Sequence, residues 1–291
     1  MKNKKLLLSL AVGGLLSFTW MFTAFTAFAQ ESTRTREEER RIWRGPGYAN
    51  DASAQMYPES GIKYNAVYRV PRPDVDYLKA GTRVEESSLA KNGVDAYFFE
   101  NEISDEVFAR MDGKSYREGC TIPREDLRYL KMLYCGPDGG TYVGEMVCNK
   151  EISQKVLAVF RELYNHAYPI EKMVLVDDYD GDNLQSALDN NTSCFNFRKA
   201  EGTSQSLSFH ASGKAIDVNP KYNPYLWTDE AGIRQCGPEE SWEYADRTKD
   251  FPYKITEDDL CKKTFEEYGF FWGGNFVYDK DYMHFSFGKR G

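Results

Sequence analysis

The sequence predicts an α+β fold, a small and mainly antiparallel sheet flanked by helices, and three observations carry that expectation. Ile152, Val156, Val159, Phe160 and Leu163 recur at helical spacing, with Asn149 as the candidate N-cap and Pro169 beyond the end. A second helix is signalled by Thr256-Glu257-Asp258-Asp259, which resembles a capping box, and by Gly269 just past its end. Between and after these helices lie short apolar runs that alternate with period two, the pattern of half-buried strands.

The chain divides into three unequal parts. Met1 to Lys5 carry three lysines, Leu6 to Ala29 contain no charge, and Ala27-Phe28-Ala29 supplies small residues at the positions signal peptidase needs. Residues 1–29 therefore read as a signal peptide cleaved before Gln30, with a retained signal-anchor as the alternative because about 20 apolar residues span a bilayer. Residues 30–100, charged from Glu31 to Arg41 and then rich in Gly, Pro and Asn, read as a tether with a small accessory layer. Residues 101–291 form the main domain, and no internal repeat is visible.

Without the first 29 residues the chain has 34 Lys plus Arg against 45 Asp plus Glu. Such an acidic chain lacks the positive surface that binds a phosphate backbone, so a nucleic-acid partner is excluded. The six cysteines, Cys120, Cys135, Cys148, Cys194, Cys236 and Cys261, form no C-x-x-C pair. An even count in an exported chain suggests disulfides; 15 pairings are possible, of which Cys236 with Cys261 is favoured, and buried free thiols are the alternative.

The residues that carry chemistry lie in short alternating runs. In Ser206-Leu207-Ser208-Phe209-His210, Leu207 and Phe209 take one strand face and His210 the other. In Lys214-Ala215-Ile216-Asp217-Val218, Ile216 and Val218 point to the core and Asp217 away from it, and Ser212-Gly213 supplies the bend between the two runs. Tyr282-Met283-His284-Phe285-Ser286-Phe287 turns His284 and Ser286 outward, with Asp281 at the mouth of the strand. Phe195-Asn196-Phe197-Arg198 buries its phenylalanines and turns Asn196 and Arg198 to the other side.

Two imidazoles and one carboxylate, His210, His284 and Asp217, make a three-ligand zinc set that leaves a fourth position open, as catalytic zinc requires. Asp281, close to one ligand, has the chemistry of a general base. His166, at the end of a helix, is the ordinary member of the three histidines.

Ser208 to Asp217 matches the S-x-H-x-x-G-x-A-x-D signature, and Asp281 to His284 the [DE]-x-x-H signature, of the D-alanyl-D-alanine carboxypeptidase family of zinc peptidases. The chain resembles its VanY-like branch in Asn190 to Ser193, Asn219 to Tyr225 and Gly269 to Gly274, and is related to the phage L-alanyl-D-glutamate endopeptidases. The resemblance, spanning about Asn101 to Phe287, implies a zinc scaffold shared with the D,D-peptidases and the hedgehog domain. It implies zinc ligands His210, Asp217 and His284, base Asp281, and Arg198 assisting the substrate or the developing oxyanion. Asn275 and Phe276 depart from the acidic residue and Trp that commonly follow Trp-Gly-Gly, which bears on the substrate wall; Trp272 lines the cleft or is a buried aromatic.

Asp177, Asp178, Asp180 and Asp182 look like a calcium loop, but Gly181 is misplaced and no distal Glu follows, which leaves a solvated loop. Asn190 and Asn191 each begin a glycosylation sequon, a pattern common by chance. The expected function is an exported zinc metallopeptidase whose partner is the peptidoglycan stem peptide, of D-alanyl-D-alanine carboxypeptidase type, with no membrane span after signal cleavage. The alternatives are an endopeptidase of the same family and a non-catalytic zinc-containing wall-binding module. A binding module has no need of a base such as Asp281.

Overall fold

A computed structural model describes residues 72–200 and 206–288. The expected signal peptide and the first part of the expected tether, residues 1–71, lie outside the described residues. Among the described residues no helix is long and apolar enough to cross a membrane.

The chain enters through α1 (Pro73–Asp76), α2 (Glu86–Asn92), β1 (Phe99–Glu102) and α3 (Asp105–Met111). A long hairpin follows, β2 (Leu127–Cys135) with β3 (Thr141–Asn149), then α4 (Ser153–Asn165) and α5 (Asn183–Leu188). The C-terminal part holds β4 (Ala215–Asp217), β5 (Tyr225–Thr228), β6 (Arg234–Gly237), α6 (Leu260–Glu267), β7 (Phe270–Trp272), β8 (Lys280–Asp281) and β9 (His284–Phe287). The fold is α+β, but among the described residues the expected single sheet is three antiparallel ones, ordered β1-β2-β3, β4-β9-β7 and β6-β5-β8.

β1 runs across the expected boundary at residue 100 and pairs along β2 from Phe99↔Lys131 to Glu102↔Arg128. Val75, Val84, Tyr97, Phe98 and Phe99 join the same core as the hairpin and α4. Buried Lys131 donates to the carbonyls of Asp76 and Leu78, tying α1 onto the sheet.

α4 buries Val156, Leu157, Val159, Phe160 and Leu163, as its periodicity requires. Its cap differs from expectation. Ile152 occupies the N-cap, and Asn149 instead closes the preceding turn, its Oδ1 accepting from Glu151 N at 3.0 Å. At α6, Asp259 is the N-cap and accepts from Cys261 N at 2.7 Å, while Gly269 at φ +87° follows the end.

The six cysteines are unpaired, Cys236 and Cys261 included. Cys148, Cys194 and Cys261 are buried, so these thiols act as small apolar side chains. Burial raises the thiols of Cys148 and Cys261 well above the usual range.

The inner face of β9 rests on an aromatic stack. Phe265 of α6 lies parallel to Phe285 at 4.2 Å between ring centroids and edge-on to Phe160 at 6.0 Å and Phe270 at 5.2 Å. Phe265→Ala removes all three contacts from a fully buried position. It is expected to cost about 3–5 kcal/mol, read as a lower urea midpoint at unchanged slope.

Candidate metal centre

β4 and β9 pair antiparallel with Asp217 directly opposite His284. Ile216, Val218 and Phe285 fill the core on one side, and the two polar residues share the other, as period-2 alternation dictates. His210 arrives differently. Ser206 to His210 is not the expected strand: Leu207 makes one isolated bridge with Lys199 and is exposed, and Phe209–Ser212 form a 3-10 turn. Ser208 caps that turn by accepting from His210 N at 3.3 Å. Gly213 ends it at φ +68°, where a Cβ would stand 2.8 Å from the Asn149 backbone nitrogen. Asn149 N donates to Gly213 O and its side chain to Ser212 O, which docks the turn on the end of β3.

The segment 193–198 runs beside both ligand-bearing pieces. Ser193 and Asp217 exchange backbone hydrogen bonds, Asn196 N donates to His210 O, and Ser208 N donates to Arg198 O. The Cys194 carbonyl accepts from His210 Nδ1 at 2.7 Å.

These contacts bring His210, Asp217 and His284 into one buried triangle. His210 Nε2 lies 3.3 Å from His284 Nδ1 and 3.1 Å from Asp217 Oδ2, and His284 Nδ1 lies 3.1 Å from Asp217 Oδ1. Burial would raise the Asp217 carboxyl, but when the two imidazoles carry protons toward it they override burial and hold the group well below the usual carboxylate range.

The donor chemistry fits a divalent cation. A carbonyl only accepts, so the Cys194 contact places the His210 proton on Nδ1 and leaves a lone pair on Nε2. That lone pair faces the Asp217 carboxylate and His284 Nδ1 away from water, an arrangement that a shared cation relieves. Ligand atoms of a tetrahedral ion with bonds of about 2.0–2.1 Å lie about 3.3 Å apart, the spacing of this triangle.

Asp281 Oδ2 is 4.0 Å from His284 Nδ1, wider than the spacings within the triangle and suited to one intervening water. Its backbone pairs with Tyr225 of β5. Gly273 permits the close approach of this strand, since a Cβ there would lie 2.5 Å from the Asp281 carbonyl oxygen. The rings of Phe209 and Phe276 flank His284 at 6.0 and 6.2 Å. Trp272 is buried and donates through Nε1 to the Tyr282 carbonyl, so it supports the strand rather than lining a cleft.

Arg198 is half-buried, with Nη1 donating to Lys199 O at 3.2 Å. Asn196 is fully engaged elsewhere, accepting from Arg117 and donating to the Gly181 carbonyl. His166 is exposed at the end of α4, as expected. The aspartates of the 177–182 loop each have a protein partner: Ser115 N for Asp177, Arg110 for Asp178, Lys114 for Asp180 and the N-terminus of α5 for Asp182. Both sequon asparagines are buried, with side chains bonded to Glu171, Val174 and Ser186. A cavity of about 730 Å³ opens elsewhere, among Tyr134, Tyr142, Tyr179, Glu171 and Lys172. Two of its charged groups are already paired, Lys172 with Asp189 and Glu171 with Asn190, whereas among the described residues the triangle is the cluster whose donors could hold a metal ion.

Buried His and Asp donors on paired strands, with the Asp281 carboxylate 4.0 Å from one of them, are a set that would suit a hydrolytic metal centre. Residues 201–287 match the family described as D-alanyl-D-alanine carboxypeptidase. The match contains His210, Asp217, Asp281 and His284 and supports a peptidase. No curated protein and no solved structure matches the chain.

The purified chain is expected to bind one equivalent of zinc by calorimetry. His284→Ala should lose that binding while retaining its far-ultraviolet circular dichroism, and full zinc occupancy in the variant would sink the ligand assignment.

Proposed function

We propose that the chain is an exported zinc peptidase that hydrolyses peptidoglycan stem peptides, with release of a terminal D-alanine as the preferred reaction. The observation that carries this reading is the buried triangle of His210 Nε2, Asp217 and His284 Nδ1, lying within the stretch that matches the carboxypeptidase family. Export follows from the substrate, which lies outside the cytoplasm, and the uncharged run Leu6 to Ala29 supports it. The scaffold inferred is that of the D,D-peptidases.

His210, Asp217 and His284 would hold the ion, which with a single anionic ligand keeps positive charge and supplies Lewis-acid activation of the carbonyl and of water. The chain's own residues do the rest. His210 is oriented by the Cys194 carbonyl, which fixes its tautomer. Asp281 takes a proton from the attacking water on its carboxylate and returns it to the nitrogen of the leaving amine. Phe209 and Phe276 exclude water from the face of His284. Arg198 offers a planar guanidinium, suited to a terminal carboxylate or to the oxyanion.

Mass spectrometry of purified muropeptides after incubation tests the whole reading. Loss of one terminal alanine is expected. Asp281→Asn should keep its zinc and lower kcat by about 10² to 10⁴ with KM changed little. Cleavage inside the stem, unaffected when the peptide's C-terminus is amidated, would instead make the protein an endopeptidase and move Arg198 to the oxyanion. Wild-type activity no higher than that of the variant would favour a binding module.

A further inference from the structure

Arg247 lies outside both signature motifs and 34 residues before Asp281, yet its side chain gathers the segments around that carboxylate. Nη1 donates to the carbonyls of Tyr222 and Tyr244 at 2.9 and 3.3 Å. Nη2 donates to Asn223 Oδ1 at 3.0 Å and to the Ile255 carbonyl at 2.9 Å. The guanidinium lies over the Tyr282 ring, 4.3 Å from its centroid, and 5.0 Å from that of Phe251.

Every one of these partners is neutral. Burial lowers the guanidinium to about 10, which leaves it charged at neutral pH, and among the described residues no carboxylate pairs with it. A half-buried cation held only by carbonyls, an amide and two rings gives up solvation without gaining a counter-charge, a cost that a fixed geometry offsets. Four donor contacts occupy both terminal nitrogens, so the fork is not available to clamp a substrate carboxylate. That separates Arg247 from the duty proposed for Arg198.

What Arg247 holds is the frame of Asp281. Tyr222 and Asn223 lead directly into β5, whose Tyr225 pairs with Asp281. Tyr282, the residue after Asp281, donates to the Pro224 carbonyl at 3.4 Å and stacks on the guanidinium. Asn223, fully buried, accepts from Arg247 and Ile255 and donates to the Asn219 carbonyl, two residues beyond Asp217. One guanidinium thus joins the strand beside Asp281, the residue following it and the chain leaving Asp217.

We propose that Arg247 is the positioning residue of Asp281, acting on catalysis only through the placement of that carboxylate. The inference rests on Asp281 being the base.

A double-mutant cycle tests it, using the full-length zinc-loaded chain and purified muropeptides as substrate. The four chains are wild type, Arg247→Met, Asp281→Asn and the double variant, each measured for kcat, KM and zinc content. Misplacing a catalytic group by about 1 Å can cost about 10²-fold, so Arg247→Met is expected to lower kcat by roughly one to two decades with KM and zinc little changed. In the Asp281→Asn background the same change should cost nothing further. An equal loss in both backgrounds, or no loss in the wild-type background, overturns the proposal, since a merely structural arginine weakens both alike. If Asp281→Asn alone leaves kcat unchanged, the base assignment itself falls, an outcome read without any Arg247 variant. Should Arg247→Met fold poorly, Arg247→Lys, which keeps the charge without the fork or the planar stack, serves in the same cycle under the same criteria.

Discussion

The cross-strand pair of Asp217 and His284 is the constraint on which the remaining site geometry depends. Antiparallel register sets them opposite each other, and alternation sends their neighbours Ile216 and Phe285 into the core. A slip of one residue would bury the ligands among the aromatic rings and turn Phe285 into the site. Register is therefore enforced from the inner face, where Phe265 stacks on Phe285 and β7 pairs along the far edge of β9. The chemistry of the outer face is a consequence of packing on the inner one.

His210 and Asp281 are fitted to that pair by less regular means. His210 rides on a 3-10 turn pinned to the end of β3 through Gly213 and Asn149, and a backbone carbonyl sets its tautomer. Asp281 is placed by β5, by Gly273 and by the cluster around Arg247. Three separate small sheets thus contribute to one centre: the hairpin sheet docks the turn, the β4-β9-β7 sheet carries two donors, and the β6-β5-β8 sheet carries the carboxylate.

The parts that were legible from sequence are those where side-chain pattern and backbone period coincide. Ile216 with Val218 and Phe285 with Phe287 marked β4 and β9 and oriented Asp217 and His284. Five alternating residues from Ser206 to His210 gave the same signal for a different structure, because the Ser208 cap and the left-handed Gly213 select a turn. The cysteine count pointed to disulfides, whereas Cys148, Cys194 and Cys261 are buried as free thiols in close-packed surroundings. Val75, Val84 and Tyr97 are too dispersed to show a period, so the core contribution of the N-terminal layer was not visible. Neither the Cys194 carbonyl nor Arg247 could be read ahead: the first is a backbone atom, and the second carries no spacing that ties it to Asp281.

The central claim is that two imidazoles and one carboxylate, and no thiolate, hold the ion. X-ray absorption at the zinc edge, on the chain loaded with one equivalent of zinc, tests it most directly. The expected spectrum has only nitrogen and oxygen neighbours at about 2.0–2.1 Å, with the outer-shell features of two imidazole rings. A sulfur shell at about 2.3 Å would contradict it, because the ion would then be held by cysteine thiolate outside the His210, Asp217 and His284 triangle.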